Sequence, residues 1–356
     1  MKRSISASGW IAVAIVCACA SACESGFDRN DQIVNSLRIL GAAAHIDNGD
    51  GIDWADAQVG DMITLVALVA NPTGVPNVTV TWVTCLPSLN NTLTPCSDET
   101  VLRTPTQLIT MASDPNSGVI QLGVGETIQY TVPQEAQPLL DALVARADQN
   151  VNAECALYIE APLLIIAQGG DGEVVTALKN LRLSPWSQTG PGASDPALQY
   201  YIRNANPSIT ELDIPNDRSA CAPGQTLVRA CGGNLPPCDG GAACSPDGWC
   251  PPAPFPSGPQ TICAQLPDTA TNPNEVQTYY YCGLDGADGT EMEQPNITWY
   301  ETAGSQGSIS NSNPTGTPDL TSRTFETFTR PAGPFTLYGV IRDGRDGENW
   351  VAQDFQ

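Results

Sequence analysis

Apolar and polar residues alternate in short bursts along most of this chain, the two-residue period of strands with one face buried. Such runs are SLRILGAAAHI (36–46), VTVTWVTC (78–85), GVIQLGVG (118–125), TIQYTVP (127–133) and EVVTALKNLRLS (173–184). After position 200 come PSITELDI, QTICAQLP, EVQTYYYCG, NITWYETAG, TFETFTR, FTLYGVIRD and ENWVAQDFQ. MITLVALVAN (62–71) alternates less and reads as a buried central strand, and CALYIEAPLLIIA (155–167) is a further strand-like run. Helical spacing occurs in PLLDALVAR (138–146). GGDGE (169–173) predicts a hairpin turn, and so do the two Asp-Gly steps of FTLYGVIRDGRDGENWV.

The strands fall into two series around SPWSQTGPGASDP (184–196), which is poor in aliphatics and rich in turn formers. This predicts an all-β protein of two tandem sandwich domains, residues 37–184 and 205–356, joined by a linker at 185–204. The halves echo one another: VPNVTVTWVT and QPNITWYET each place Pro-Asn before Thr-Trp in an alternating strand. In immunoglobulin-like sandwiches a tryptophan on the third strand fills the space between the sheets, which makes Trp82 and Trp299 the expected core centres.

Composition agrees with short strands and many turns, with Pro 30, Gly 32 and only 6% aromatic residues in 356. Lys and Arg number 15 against 38 Asp and Glu, a formal charge of −23. A surface this acidic repels phosphates, so nucleic acid is not an expected partner.

The first residues have a different texture. Lys2 and Arg3 precede an apolar run from Trp10 to Ala20, the length of a signal-peptide core and too short for the ~20 residues of a membrane span. Residues 1–22 are read as a signal peptide and 23–36 as a polar tether. Ala20-Ser21-Ala22-Cys23 resembles the lipobox of bacterial lipoproteins, with Ala20 where a larger aliphatic residue is usual. The resemblance implies lipidation of Cys23 and, with Glu24 following, an outer-membrane lipoprotein facing the periplasm or the cell surface. Ordinary secretion after Ala22 is the alternative.

The series SLRILGAAA, VGDMITLVALVANPTG, VTWVTC, EVVTALKNLRLS, NPSITEL, NITWYETAG and TLYGVIRDGRDGENW resembles lipoproteins of myxobacteria and related bacteria that carry tandem immunoglobulin-like or PKD-like domains. That likeness implies adhesion, binding or display at the envelope, with a protein or polysaccharide ligand, and no catalytic residues. A purely structural envelope component and a carboxylate-dependent glycan hydrolase are the rival readings.

The chain departs from that pattern at 221–263, where Cys221, Cys231, Cys238, Cys244 and Cys250 sit among Gly and Pro. Such a segment cannot bury a core and needs covalent staples, and its spacings lack the short paired knuckles of zinc sites. Two bridges among Cys231, Cys238, Cys244 and Cys250 are expected, most simply in alternating order. Cys85 and Cys96 flank a short loop and are expected to pair. Cys263 and Cys282 are further candidates, as staples between insertion and sandwich, and Cys155 is expected to stay reduced or to bridge the halves.

Two readings stand for IDNGDGIDWADAQVGD (46–61): a calcium site using Asp47, Asp50, Asp53 and Asp56, or a solvated connection. DGADGTEME (285–293) is read as a polar loop. Only one histidine, His45, and one lysine beyond the leader, Lys179, are present, and no nucleophile elbow or phosphate loop occurs, so an enzyme is not expected.

Overall fold

The computed structural model describes residues 33–85, 119–147, 158–184, 203–216, 224–232, 235, 237–267, 277–282, 288–293, 295–302 and 323–356. Among the described residues it is an all-β structure of antiparallel sheets with one short helix.

The strands of the first half are β1 (Arg38–Asp47), β2 (Asp53–Trp54), β3 (Met62–Ala70), β4 (Thr79–Cys85), β5 (Val119–Val124), β6 (Thr127–Thr131), β7 (Ile159–Gln168) and β8 (Val174–Leu183). They form two sheets in the orders β2-β1-β3-β6 and β5-β4-β7-β8. The inward sides of both meet in one core, with Ala42, Ile63, Leu65, Trp82, Leu163, Ile165 and Leu181. Trp82 is fully buried, and its indole N–H donates to the Gly125 carbonyl (2.9 Å). The helix α1 (Gln137–Ala147) contributes Leu140 to this core.

In the second half are β9 (Glu211–Ile214), β10 (Gln225–Arg229), β11 (Pro259–Gln265), β12 (Thr278–Cys282), β13 (Asp288–Met292), β14 (Asn296–Glu301), β15 (Arg323–Thr329), β16 (Phe335–Arg342) and β17 (Glu348–Phe355). Sheets β10-β9-β11-β15 and β14-β16-β17 enclose a second core around Trp299, 1% exposed, while β12 and β13 form a separate hairpin. The halves repeat one pairing order. β1-β3-β6 facing β4-β7-β8 corresponds to β9-β11-β15 facing β14-β16-β17, and the two tryptophans sit on the equivalent strands β4 and β14.

The two cores share a boundary rather than hanging on a tether. The outward side of β1 and β3, through Leu40, Leu68 and Ala70, packs against Tyr338 and Val340 of β16 and against Trp350 and Ala352 of β17. Strand β1 and the C-terminal end of β3 are therefore covered on both faces, the physical reason that ALVA ends β3 without alternation, whereas the exposed Met62 and buried Ile63 and Leu65 keep a period of two at its start. Close approach needs small residues on β1: a Cβ at Gly41 would lie 2.8 Å from a Glu348 carboxylate oxygen. Arg203 and Asn204, expected as the end of an open linker, are instead buried in this boundary. Residues 185–202, the rest of that linker, lie outside the described residues.

The expected strand QTICAQ lies in β11, while QTLVR, within the Cys-rich insertion and not expected as a strand, forms β10 at a sheet edge. One further expectation changes. DGTEM within the expected polar loop is strand β13, and Glu293 after it is buried.

Candidate functional site

Cations are scarce in this chain, yet five of its 15 Lys and Arg converge where the halves meet: Lys179, Arg182, Arg203, Arg342 and Arg345. They surround the β16–β17 turn, Asp343-Gly344-Arg345-Asp346-Gly347-Glu348. Asp343 shapes the turn by accepting the backbone N–H groups of Arg345 (2.6 Å) and Gly347 (3.0 Å) on one carboxylate oxygen. No side chain fits at position 347, where a Cβ would collide with the other oxygen of Asp343. Asp346 takes a left-handed φ of 72°, uncommon outside glycine.

Asp346 grips the edge strand β8. Its carbonyl accepts from Lys179 Nζ (2.7 Å), and its carboxylate pairs with Arg182 Nε (2.7 Å). Lys179 falls on the alternation of Val175, Ala177, Leu181 and Leu183, the core-facing side of β8. An inward lysine on an edge strand guards against unwanted strand pairing, and here its charge meets Glu348 (3.5 Å), both side chains being under 10% exposed. The second oxygen of Glu348 pairs with Arg342 Nη2 (2.7 Å).

Behind the turn the segment 203–206 runs between the halves. Asn204 donates its amide N–H groups to Asp343 Oδ2 (2.8 Å) and to the Arg345 carbonyl (3.0 Å), and its backbone N–H to Asp56 Oδ2 (3.0 Å). Arg203 donates to the Asp56 carbonyl and to Asp61, and stacks over Trp54. Asn206 donates to the Ala44 carbonyl (2.7 Å) and accepts from the Glu348 N–H (3.1 Å). On the far side Arg345 Nη1 donates to Glu293 (2.8 Å) and Gln277 (3.2 Å). Burial pushes the Glu293 carboxyl up to about 7, against the pull of the Gln277 N–H and the Arg345 guanidinium. Burial also raises Asp343, against its hydrogen bonds from Arg345 and Asn204.

Beside this network lies a cleft of about 490 Å³, with Ile39, Leu40, Ala42, Ile165, Ala177 and Leu178 as its apolar lining. Tyr300, Lys179, Asn180, Arg342, Asp346 and Glu348 supply its aromatic and polar lining. Both acids here are paired with cations, Asp346 with Arg182 and Glu348 with Lys179 and Arg342. A second acidic feature lies elsewhere, on β9, where burial and then the charge of Glu211 push Asp213 up to about 6.

The four aspartates expected to share calcium are turned apart, each toward its own partner. Asp47 accepts the Gly49 N–H, Asp50 the N–H of Ile52 and the indole of Trp54, and Asp53 pairs with His45 (2.7 Å). Asp56 is buried against Asn204 in the boundary. No group of three or more close carboxylates occurs among the described residues. In this geometry the loop uses its carboxylates to fix its own turns.

The cysteines of the insertion form Cys231–Cys244 and Cys238–Cys250, the alternating order. Cys231, Cys238 and Cys250 are the one group of close metal-type ligand atoms among the described residues, and their sulfurs are committed to these bonds. The knot is fastened to β10 by backbone pairing, with Cys250 N–H on the Arg229 carbonyl and Ala253 N–H on that of Leu227. Beyond it, Phe255 plugs the second core edge-on against Phe328, Phe335 and Phe355 at 5.3–5.7 Å. Cys263 is disulfide-bonded. Cys96, Cys155, Cys221 and the lipidation candidate Cys23 lie outside the described residues, as do the side chains of Cys85 and Cys282.

Asn204, Arg203, Arg345 and Glu293 were not legible as a site in the sequence; the one available signal was the density of charge in DGRDGE. No protein-family model matches the chain, and no curated protein matches it.

Proposed function

We propose that the chain is a lipid-anchored protein of the bacterial cell envelope, built as two tandem immunoglobulin-like sandwiches that hold a disulfide knot away from the membrane as a binding or display module. The repeated strand order of the two halves, with a buried tryptophan at the same place in each, supports the tandem reading. The interlocked bridges Cys231–Cys244 and Cys238–Cys250 carry the compartment, because such bonds persist where the surroundings are oxidising. That agrees with export through residues 1–22 and attachment at Cys23. The ion-paired boundary suits a spacer, since a module that presents a contact surface gains from fixed geometry between anchor and tip.

The test is Cys23→Ser. The wild-type chain is expected in the membrane fraction, with a mature mass equal to residues 23–356 plus acyl groups. The variant is expected to be soluble or uncleaved. Unchanged mass and unchanged membrane partition would overturn the anchor.

A further inference from the structure

We propose that the cleft between the halves binds a small organic carboxylate, a molecule with one anionic head and an apolar body. The cleft's volume of about 490 Å³ falls within the few hundred to a thousand cubic ångströms of small-molecule sites, and junctions between domains are where such sites concentrate. Its lining divides into an apolar part, Ile39, Ala42, Ile165, Ala177 and Leu178, and a charged part at the β16–β17 turn.

The charged lining balances, with Lys179 and Arg342 against Asp346 and Glu348, in a chain of net −23. Arg342 is the lining cation with open donors. Its Nη2 is held by the Leu40 carbonyl (3.0 Å) and by Glu348 (2.7 Å), which fixes the plane of the guanidinium. Nε and Nη1 make no further hydrogen bond among the described residues, and the side chain is 41% exposed. A guanidinium held by one nitrogen and open at the others is a preorganised receptor for a carboxylate. The apolar lining, with Leu178 half exposed, takes the body of the ligand. This inference does not depend on the lipid anchor.

Octanoate is the probe, titrated calorimetrically into the purified chain, with octanol as the same body without the charge. Binding of octanoate at millimolar concentration or below is expected, with octanol at least about tenfold weaker. Arg342→Gln is expected to weaken octanoate by about tenfold or more. Leu178→Asp, at an exposed position that folding tolerates, places a like charge on the lining and is expected to weaken it similarly. No binding of octanoate up to about 10 mM, equal binding of octanol, or full affinity in the folded Leu178→Asp chain would overturn the proposal.

Discussion

Asn204 and Asp343, far apart in sequence, meet in a 2.8 Å hydrogen bond at the buried centre of the boundary between the two halves. Asn204 is completely buried, and its amide and backbone N–H groups are spent on Asp343, Arg345 and Asp56. One asparagine therefore joins the β16–β17 turn to the loop after β2. Hydrogen bonds of this kind to charged acceptors contribute roughly 1.5–3 kcal/mol each, and losing the donor leaves a buried carboxylate short of a partner. Asn204→Ala is expected to cost about 3 kcal/mol or more, read from urea denaturation.

The ion pairs at Glu348 rank two substitutions. Lys179→Met removes one cation while Arg342 still neutralises Glu348, so a loss of about 1–3 kcal/mol is expected. Glu348→Leu strands the buried Lys179 ammonium, and breaking a buried pair from that side costs about 3–5 kcal/mol. Urea midpoints that place Lys179→Met below Glu348→Leu would contradict this ranking.

Stability should fall as pH rises from mildly acidic to neutral. Glu293 holds its proton up to about 7 in the folded chain but only to its ordinary 4.5 when unfolded. Between those values the folded state carries more protons, so the contribution present below pH 4.5 is lost progressively as pH climbs to about 7. Asp213, up to about 6, acts in the same direction over a lower window. Melting temperatures measured across this range should decline, and Glu293→Gln should flatten the upper part of the decline. An equal slope in the variant would rule Glu293 out as its source.

The two disulfides close loops of about a dozen residues, worth on the order of 3 kcal/mol each in the chain-entropy model. Their loss should be felt locally, because the core behind them is sealed by Phe255 and its three aromatic neighbours. Cys238→Ala with Cys250→Ala is expected to expose Trp249, now 7% exposed, and shift its fluorescence to the red while the sheets persist. Non-reducing peptide mapping should recover Cys231 with Cys244 and Cys238 with Cys250; a peptide joining Cys231 to Cys238 would contradict the structure.

Strand alternation and the Thr-Trp echo made the sheets legible in the sequence, because burial on one face writes itself as a period of two. The boundary between the halves was not legible. Asn204 and Arg203 follow a turn-rich stretch and carry polar side chains, the signature of a solvated linker, and only tertiary packing turns them inward. Glu293 sits in DGADGTEME for the same reason: a buried acid looks like a loop acid until its partner Arg345 is placed beside it. The aspartates at 47–56 support two readings in the sequence, since turn-forming hydrogen bonds and calcium coordination select the same residues.

Differential scanning calorimetry of the purified chain tests most directly whether the boundary makes the two halves one body. The buried network and the Leu40, Leu68 and Val340 contact predict a single transition whose calorimetric and van't Hoff enthalpies agree. Two resolved transitions in the unmodified chain, each with the enthalpy of one half, would contradict it.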